Sequence, residues 1–127
     1  MKLRIRDNSI RLRLTKTEVE AINTAGLVSA SVPFAGGARL VYVIESSPAC
    51  VDPAARFDGG ELSVRLPESV VKHWATTEEV SITAEQALDE GGFLNILIEK
   101  DFACLAPRDG EDESDMYPHP EQGSANC

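Results

Sequence analysis

Apolar and charged residues alternate along the first part of the chain. The stretch KLRIRDNSIRLRL keeps this alternation on both sides of its central Asp-Asn pair, which is typical of two half-buried β-strands joined by a two-residue turn. Such a hairpin places Ile5 opposite Ile10 on one face and Arg4 opposite Arg11 on the other. Like charges that face each other destabilise an antiparallel pair. We therefore expect the cationic face to attract an anionic neighbour: the chain's own acidic tail, a partner's carboxylates or a phosphate.

A short helix follows this hairpin. Thr15 and Glu18 have the spacing of a capping box, in which two side chains satisfy the free N–H groups of the first turn. Val19 and Ile22 continue at helical spacing, and Gly26 suits the C-terminal cap. The pattern predicts a helix over residues 16–25. Two further strands, LVSASVPF and RLVYVIES, then flank an AGGA turn.

The same pattern returns after 52 residues. This shift aligns SIRLRLTKTEVEAINTAGLVSAS with ELSVRLPESVVKHWATTEEVSIT, and Arg13 falls on Arg65. A further slip of two residues aligns RLVYVIE with FLNILIE, so that Glu45 falls on Glu99. Self-similarity of this kind indicates a repeated structural unit. We predict that the chain contains two strand-strand-helix-strand-strand units in tandem.

The length of each unit limits how it can fold. A unit of about 45 residues is too short to enclose a core alone, so the two units should pack face to face. We predict a β-rich α+β fold, in which the duplicated unit forms a small barrel or sandwich with two short helices, the second over residues 67–75. We expect a single domain over residues 1–106, with repeats at 1–46 and 53–99. Residues 107–127 form an acidic tail that contains Pro and Gly.

The charge of the chain and its distribution limit which partners the protein can bind. The chain has 12 Lys+Arg and 21 Asp+Glu, which gives a net charge of −9, yet its N-terminal end is basic and its C-terminal end is acidic. The acidic balance disfavours DNA and anionic membranes as partners without ruling DNA out. Three cysteines and the lack of a long apolar run predict a cytoplasmic protein. We expect a monomer or a homodimer. Its partner is expected to be another protein or its own acidic tail.

The first hairpin carries the main candidate binding surface, which we call the arginine ribbon. It consists of Arg4, Arg6, Arg11 and Arg13. No set of residues has catalytic spacing: Cys104 has no histidine near it in sequence, and His73 lies on the second predicted helix. The sequence therefore favours a non-enzymatic binding or regulatory module that uses no cofactor and binds an anion or a partner through the ribbon.

The C-terminal segment supports an alternative. Cys104, Asp112, Asp115 and His119 have side chains of the types that bind zinc or another divalent metal, although their spacing matches no compact metal motif. A metal-binding protein or small enzyme built on this segment stays open. Apolar residues such as Tyr117 also predict that the tail docks on the domain, with its carboxylates over the arginine ribbon.

Two resemblances to known families add to this reading. The opening MKLRIRDNSIRLRLTKTEVE and the closing EKDFACLAPRDGEDESDMYPHP resemble a bacterial family of unknown function over nearly the whole chain. Each half is also distantly similar to the swapped-hairpin units of AbrB-type transition regulators and MazE-type antitoxins, with a short helix that begins near Thr15 or Pro67. In those families two chains interlace into one barrel and bind DNA through basic strands and loops, and the antitoxins extend an acidic tail over a toxin. The second resemblance implies an antitoxin-like or DNA-binding role for the arginine ribbon.

Overall fold

A computed structural model describes residues 1–102 and 114–118 of the chain. Its elements follow the order strand-strand-helix-strand-strand twice, which confirms the expected β-rich α+β class. In chain order they are β1 (Lys2–Arg6), β2 (Ser9–Leu14), α1 (Lys16–Ala25), β3 (Leu27–Pro33), β4 (Arg39–Ser47), β5 (Ala54–Asp58), β6 (Glu61–Pro67), α2 (Glu68–Thr76), β7 (Ser81–Ala87) and β8 (Phe93–Lys100). A 3₁₀ turn at Ala35–Gly37 joins β3 to β4.

Local sequence signals place the first three elements as predicted. β1 and β2 pair with Ile5 opposite Ile10 and Arg4 opposite Arg11. Both hydrogen bonds of the capping box start α1, and Gly26 ends the helix in the left-handed conformation that glycine adopts without strain. The second helix begins after Pro67, which offers no side-chain cap.

The eight strands form two four-stranded sheets, with strand orders β1-β2-β8-β7 and β3-β4-β6-β5. Each sheet therefore joins the first hairpin of one repeat to the second hairpin of the other, through the parallel pairs β2–β8 and β4–β6. In the part of the chain that the structure describes, β1, β3, β5 and β7 are edge strands with no ladder to the other sheet. The sandwich that we expected is thus formed, whereas the closed barrel is not.

The two sheets repeat each other in register. Arg13 on β2 lies level with Glu99 on β8, and Arg65 on β6 lies level with Glu45 on β4. These are the residues that the repeat aligns in the sequence. Each half of the chain therefore completes its sheet with a hairpin from the other half, and neither sheet is built from one repeat.

The core lies between the sheets, and the two helices contact each other beside it. The indole N–H of Trp74 donates to the carbonyl of Val80 at 2.9 Å, which satisfies the one polar group that this large side chain brings into the core. Matched positions of the two repeats are buried together as apolar pairs: Ile10 with Leu62, Leu12 with Val64, Leu14 with Leu66, Val19 with Val71, Ile22 with Trp74, and Ile44 with Ile98.

Candidate functional site

The arginine ribbon lies on the outer face of the first sheet. Side chains alternate across a strand, so the burial of Leu12 and Leu14 against the core turns Arg11 and Arg13 outward. The register of β1 on β2 then places Lys2 opposite Arg13 and Arg4 opposite Arg11. The hairpin therefore gathers its cations on one face, as the sequence predicts.

A carboxylate from the far end of the chain lies among these cations. Glu99 Oε1 is 2.6 Å from Arg13 Nε and 3.4 Å from Arg11 Nε, because the parallel pairing of β2 with β8 brings it level with Arg13. Lys2 Nζ lies 3.2 Å from the buried carboxylate of Asp101. Among the described residues, these two carboxylates pair with three cations, Lys2, Arg11 and Arg13. Arg4 and Arg6 lie on the same face of the hairpin, so positive charge is in local excess.

The unpaired part of the ribbon is at the edge of the sheet. Arg4 and Arg6 are exposed, and neither has an ion-pair partner among residues 1–102 and 114–118. Arg4 and Arg6 are two positions apart on β1, so both side chains leave the strand on the same face, about 7 Å from each other. Arg offers a planar fork of N–H donors that matches a carboxylate or a phosphate.

The outer face of the second sheet serves as an internal comparison. Arg56 lies 3.7 Å from Asp58, and Arg65 lies 3.5 Å from Glu45. Anionic and cationic groups balance on this face, so the excess of positive charge belongs to the first sheet. The repeat places four residues of the second sheet at the positions of the ribbon arginines: Arg56, Asp58, Ser63 and Arg65.

Local sequence patterns do not identify Glu99 as the anionic neighbour of the ribbon. The reason is that β2 and β8 come from opposite ends of the chain, and local patterns do not report which strands pair. A signal is present in the repeat, which matches Arg13 with Arg65 and Glu45 with Glu99. If the same ion pair forms in both sheets, both repeats must contain its Arg and its Glu, and they do.

The described part of the tail binds helix α1. The main-chain carbonyl of Asp115 accepts a hydrogen bond from Lys16 N at 3.0 Å, and its carboxylate accepts bonds from Thr17 N at 3.2 Å and Thr17 Oγ1 at 2.9 Å. A carboxylate is stabilised there by the free N–H groups of the first helical turn. Hydrogen bonds from Thr15 and Thr17 lower the pKa of Asp115 from its ordinary value.

Tyr117 is the second point of attachment. Its N–H donates to the carbonyl of Asp101 at 2.8 Å, and its ring centroid lies 5.6 Å from that of Phe102. The buried Lys100 Nζ lies 5.4 Å from the Tyr117 ring and 5.9 Å from the Trp74 ring. Burial lowers the pKa of Lys100 and raises that of Tyr117. These ring contacts attach the tail to the folded domain. The ammonium group of Lys100 also donates a hydrogen bond to the carbonyl of Thr77 at 2.8 Å.

Three of the four proposed metal ligands lie outside the described residues. Cys104, Asp112 and His119 lie there, and so do the other tail carboxylates that we expected over the ribbon. Asp115 is described, and its carboxylate is engaged at α1. Residues 1–102 and 114–118 contain no cluster of three potential metal ligands, and none of their helices is long and apolar enough to span a membrane.

The chain belongs to DUF7009, a family of unknown function whose profile matches residues 1–121. No curated protein and no solved structure matches the chain. Membership of a family of unknown function assigns no activity to the chain.

Proposed function

We propose that this chain is a non-enzymatic interaction module that binds an acidic segment of a protein partner on the arginine ribbon. The observation that carries the proposal is the pair Arg4 and Arg6. They are exposed and have no ion-pair partner among the described residues, although the matching face of the second sheet is balanced. A duplicated unit that has kept its fold and changed the charge of one face points to a use for that face.

The geometry suits carboxylates in particular. Glu99 already bridges Arg11 and Arg13, so the ribbon binds a carboxylate of its own chain. A partner's carboxylate beside Arg4 or Arg6 would make the same type of charge-assisted hydrogen bond. The net charge of −9 opposes such binding weakly, because salt screens charges that lie more than about 10 Å away.

Nucleic acid is the second candidate ligand. The candidate comes from the distant sequence resemblance of each half to the swapped-hairpin regulators, which bind DNA through basic strands. Ser63 and Asp58 replace Arg11 and Arg6 on the second sheet, so a DNA duplex would find one cationic face and not a symmetric pair. Few phosphate contacts imply a shallow dependence of affinity on salt.

The test compares two labelled probes, an oligoglutamate peptide and a short DNA duplex, by fluorescence anisotropy at low salt. The double variant Arg4→Ser, Arg6→Ser should bind the peptide about tenfold or more weakly, since charge-assisted hydrogen bonds are lost. The matched control is Arg56→Ser, Arg65→Ser, which removes the same charge from the balanced face. It should leave the affinity nearly unchanged.

Two results would count against this function. Equal losses in the control and in the ribbon variant would mean that the peptide senses overall charge and not the ribbon. Tighter binding of the duplex than of the peptide, with the same dependence on Arg4 and Arg6, would favour the nucleic-acid candidate instead.

A further inference from the structure

Among the described residues, strand β1 pairs only with β2, which leaves its other edge open beside the arginine ribbon. A two-residue turn pairs Arg6 with Ser9 through hydrogen bonds, and antiparallel ladders alternate bonded and non-bonded pairs. The N–H and C=O groups of Leu3 and Ile5 therefore point away from β2. Unpaired groups of this kind form a template on which another strand can add.

The corresponding edge in the other sheet is closed by a side chain. Gln86 on β7 accepts a hydrogen bond from Ala55 N at 2.7 Å and donates one to Ala55 O at 3.1 Å. The amide of Gln86 thus occupies the place that a neighbouring strand would take along β5. These bonds also show that the main-chain N–H and C=O groups of Ala55 point away from β6, at the free edge of the sheet. Ala55 corresponds to Leu3 in the repeat.

In residues 1–102 and 114–118, no side chain closes the edge of β1 in this way. Val32 pairs with Leu40 as Gln86 pairs with Leu94, so it holds the equivalent position and has no amide to offer. Within the described residues no hydrogen bond joins β1 to β3. Tyr42 Oη donates to the carbonyl of Met1 at 3.3 Å, one residue before the strand begins. Ile5 is 64% exposed and Val32 is 41% exposed, so the open edge is apolar on its inner side.

We infer that an extended segment of a protein partner adds to β1 as a fifth strand of the first sheet, and that acidic and apolar side chains alternate along it. The inference rests on the proposed function and adds that the partner binds as an extended strand. A strand paired with β1 would direct every second side chain to the face of Arg4 and Arg6, where a carboxylate is favoured. The intervening side chains would face the inner side, beside Ile5 and Val32, where apolar groups are favoured.

Charge also argues against a second copy of this chain on the same edge. Two β1 strands paired with each other would bring Lys2, Arg4 and Arg6 of both copies onto one face. Like charges across a strand pair are destabilising. An acidic partner removes this repulsion, so the edge selects a different sequence from its own.

The experiment uses two synthetic peptides of equal composition and charge. One alternates glutamate with valine, and the other carries the same residues in two blocks. Strand addition predicts that the alternating peptide binds the full chain at least about tenfold more tightly, because only it matches both faces of β1. Hydrogen exchange should slow at the amides of Leu3 and Ile5 on binding. The amide of Arg4 is the internal control, because it points toward β2 and not toward the added strand.

Variants separate the edge from the charge. Val32→Gln adds the closure that β5 has and changes no charge, so it should reduce the preference for the alternating peptide while the block peptide binds as before. Gln86→Val opens the β5 edge, which lacks the excess of cations, and should create no new binding of either peptide.

The outcomes distinguish the two proposals. Equal affinity for both peptides, with no slowing of exchange at Leu3 and Ile5, overturns strand addition and leaves ribbon binding intact. If neither peptide binds, the proposed function fails and the inference falls with it. A peptide-induced dimer, detected by sedimentation, would overturn the assignment of the edge to a different partner.

Discussion

Asp115 attaches the tail to helix α1 through hydrogen bonds that its ionised form accepts best. These bonds, from Thr15 and Thr17, hold the pKa of the carboxyl below its ordinary value of 3.8. A depressed folded-state pKa means that the stabilisation is present above the ordinary value and is lost as pH falls through the folded-state pKa. We expect the Tyr117 resonances to move toward free-tyrosine values over that acidic range, as followed by NMR.

Asp115→Asn supplies the control for this pH dependence. Asparagine keeps a hydrogen-bond acceptor and does not titrate, so the acid-induced change at Tyr117 should be smaller or absent in the variant. An unchanged acid transition would show that another carboxyl group governs the tail and that the bonds from Thr17 are incidental.

At the scale of elements, the β5–β6 turn offers a paired test of backbone geometry. Gly59 and Gly60 both have positive φ, at 56° and 80°. A Cβ on Gly60 would lie 3.0 Å from the carbonyl oxygen of Arg39, whereas one on Gly59 would meet nothing within 4 Å. Each alanine costs roughly 1 kcal/mol for the left-handed conformation, and Gly60→Ala should cost more because of this contact.

Denaturant unfolding of the two alanine variants measures the difference directly. Gly59→Ala is the matched control, since it shares the turn and the sign of φ. Equal free energies of unfolding would mean that β4 moves freely away from the turn and that the approach of Arg39 to Gly60 is not a constraint.

The elements also show which parts of the fold the sequence predicts. The β1–β2 register and the capping box at Thr15 depend on neighbours a few residues away, and both predictions are confirmed. The positions of Glu99 and Gln86 depend on which distant strands meet. Local alternation carries no information about that pairing. The repeat holds a signal for the ion pair of Arg13 with Glu99, because Arg65 and Glu45 occupy the matching positions, whereas the closure of β5 emerges only in the folded chain.

For the whole molecule, the exchange of hairpins makes each half dependent on the other. The pairs β2–β8 and β4–β6 each join a strand of one half to a strand of the other, so separating the halves removes the central pairing from each sheet. It also divides the core, because both repeats contribute to it. A unit of about 45 residues buries too little apolar surface to offset its conformational entropy.

We therefore expect residues 1–49 and residues 50–127, prepared as separate chains, to be unfolded as monomers and to recover the native fold when mixed in equal amounts. Circular dichroism would report the strand signal, and sedimentation would report the mass of the complex. The full chain cleaved once in the 48–53 connector is the control, and it should stay folded because no strand crosses that point. A folded monomer of either half would contradict the dependence, since one sheet would then form without its central parallel pair.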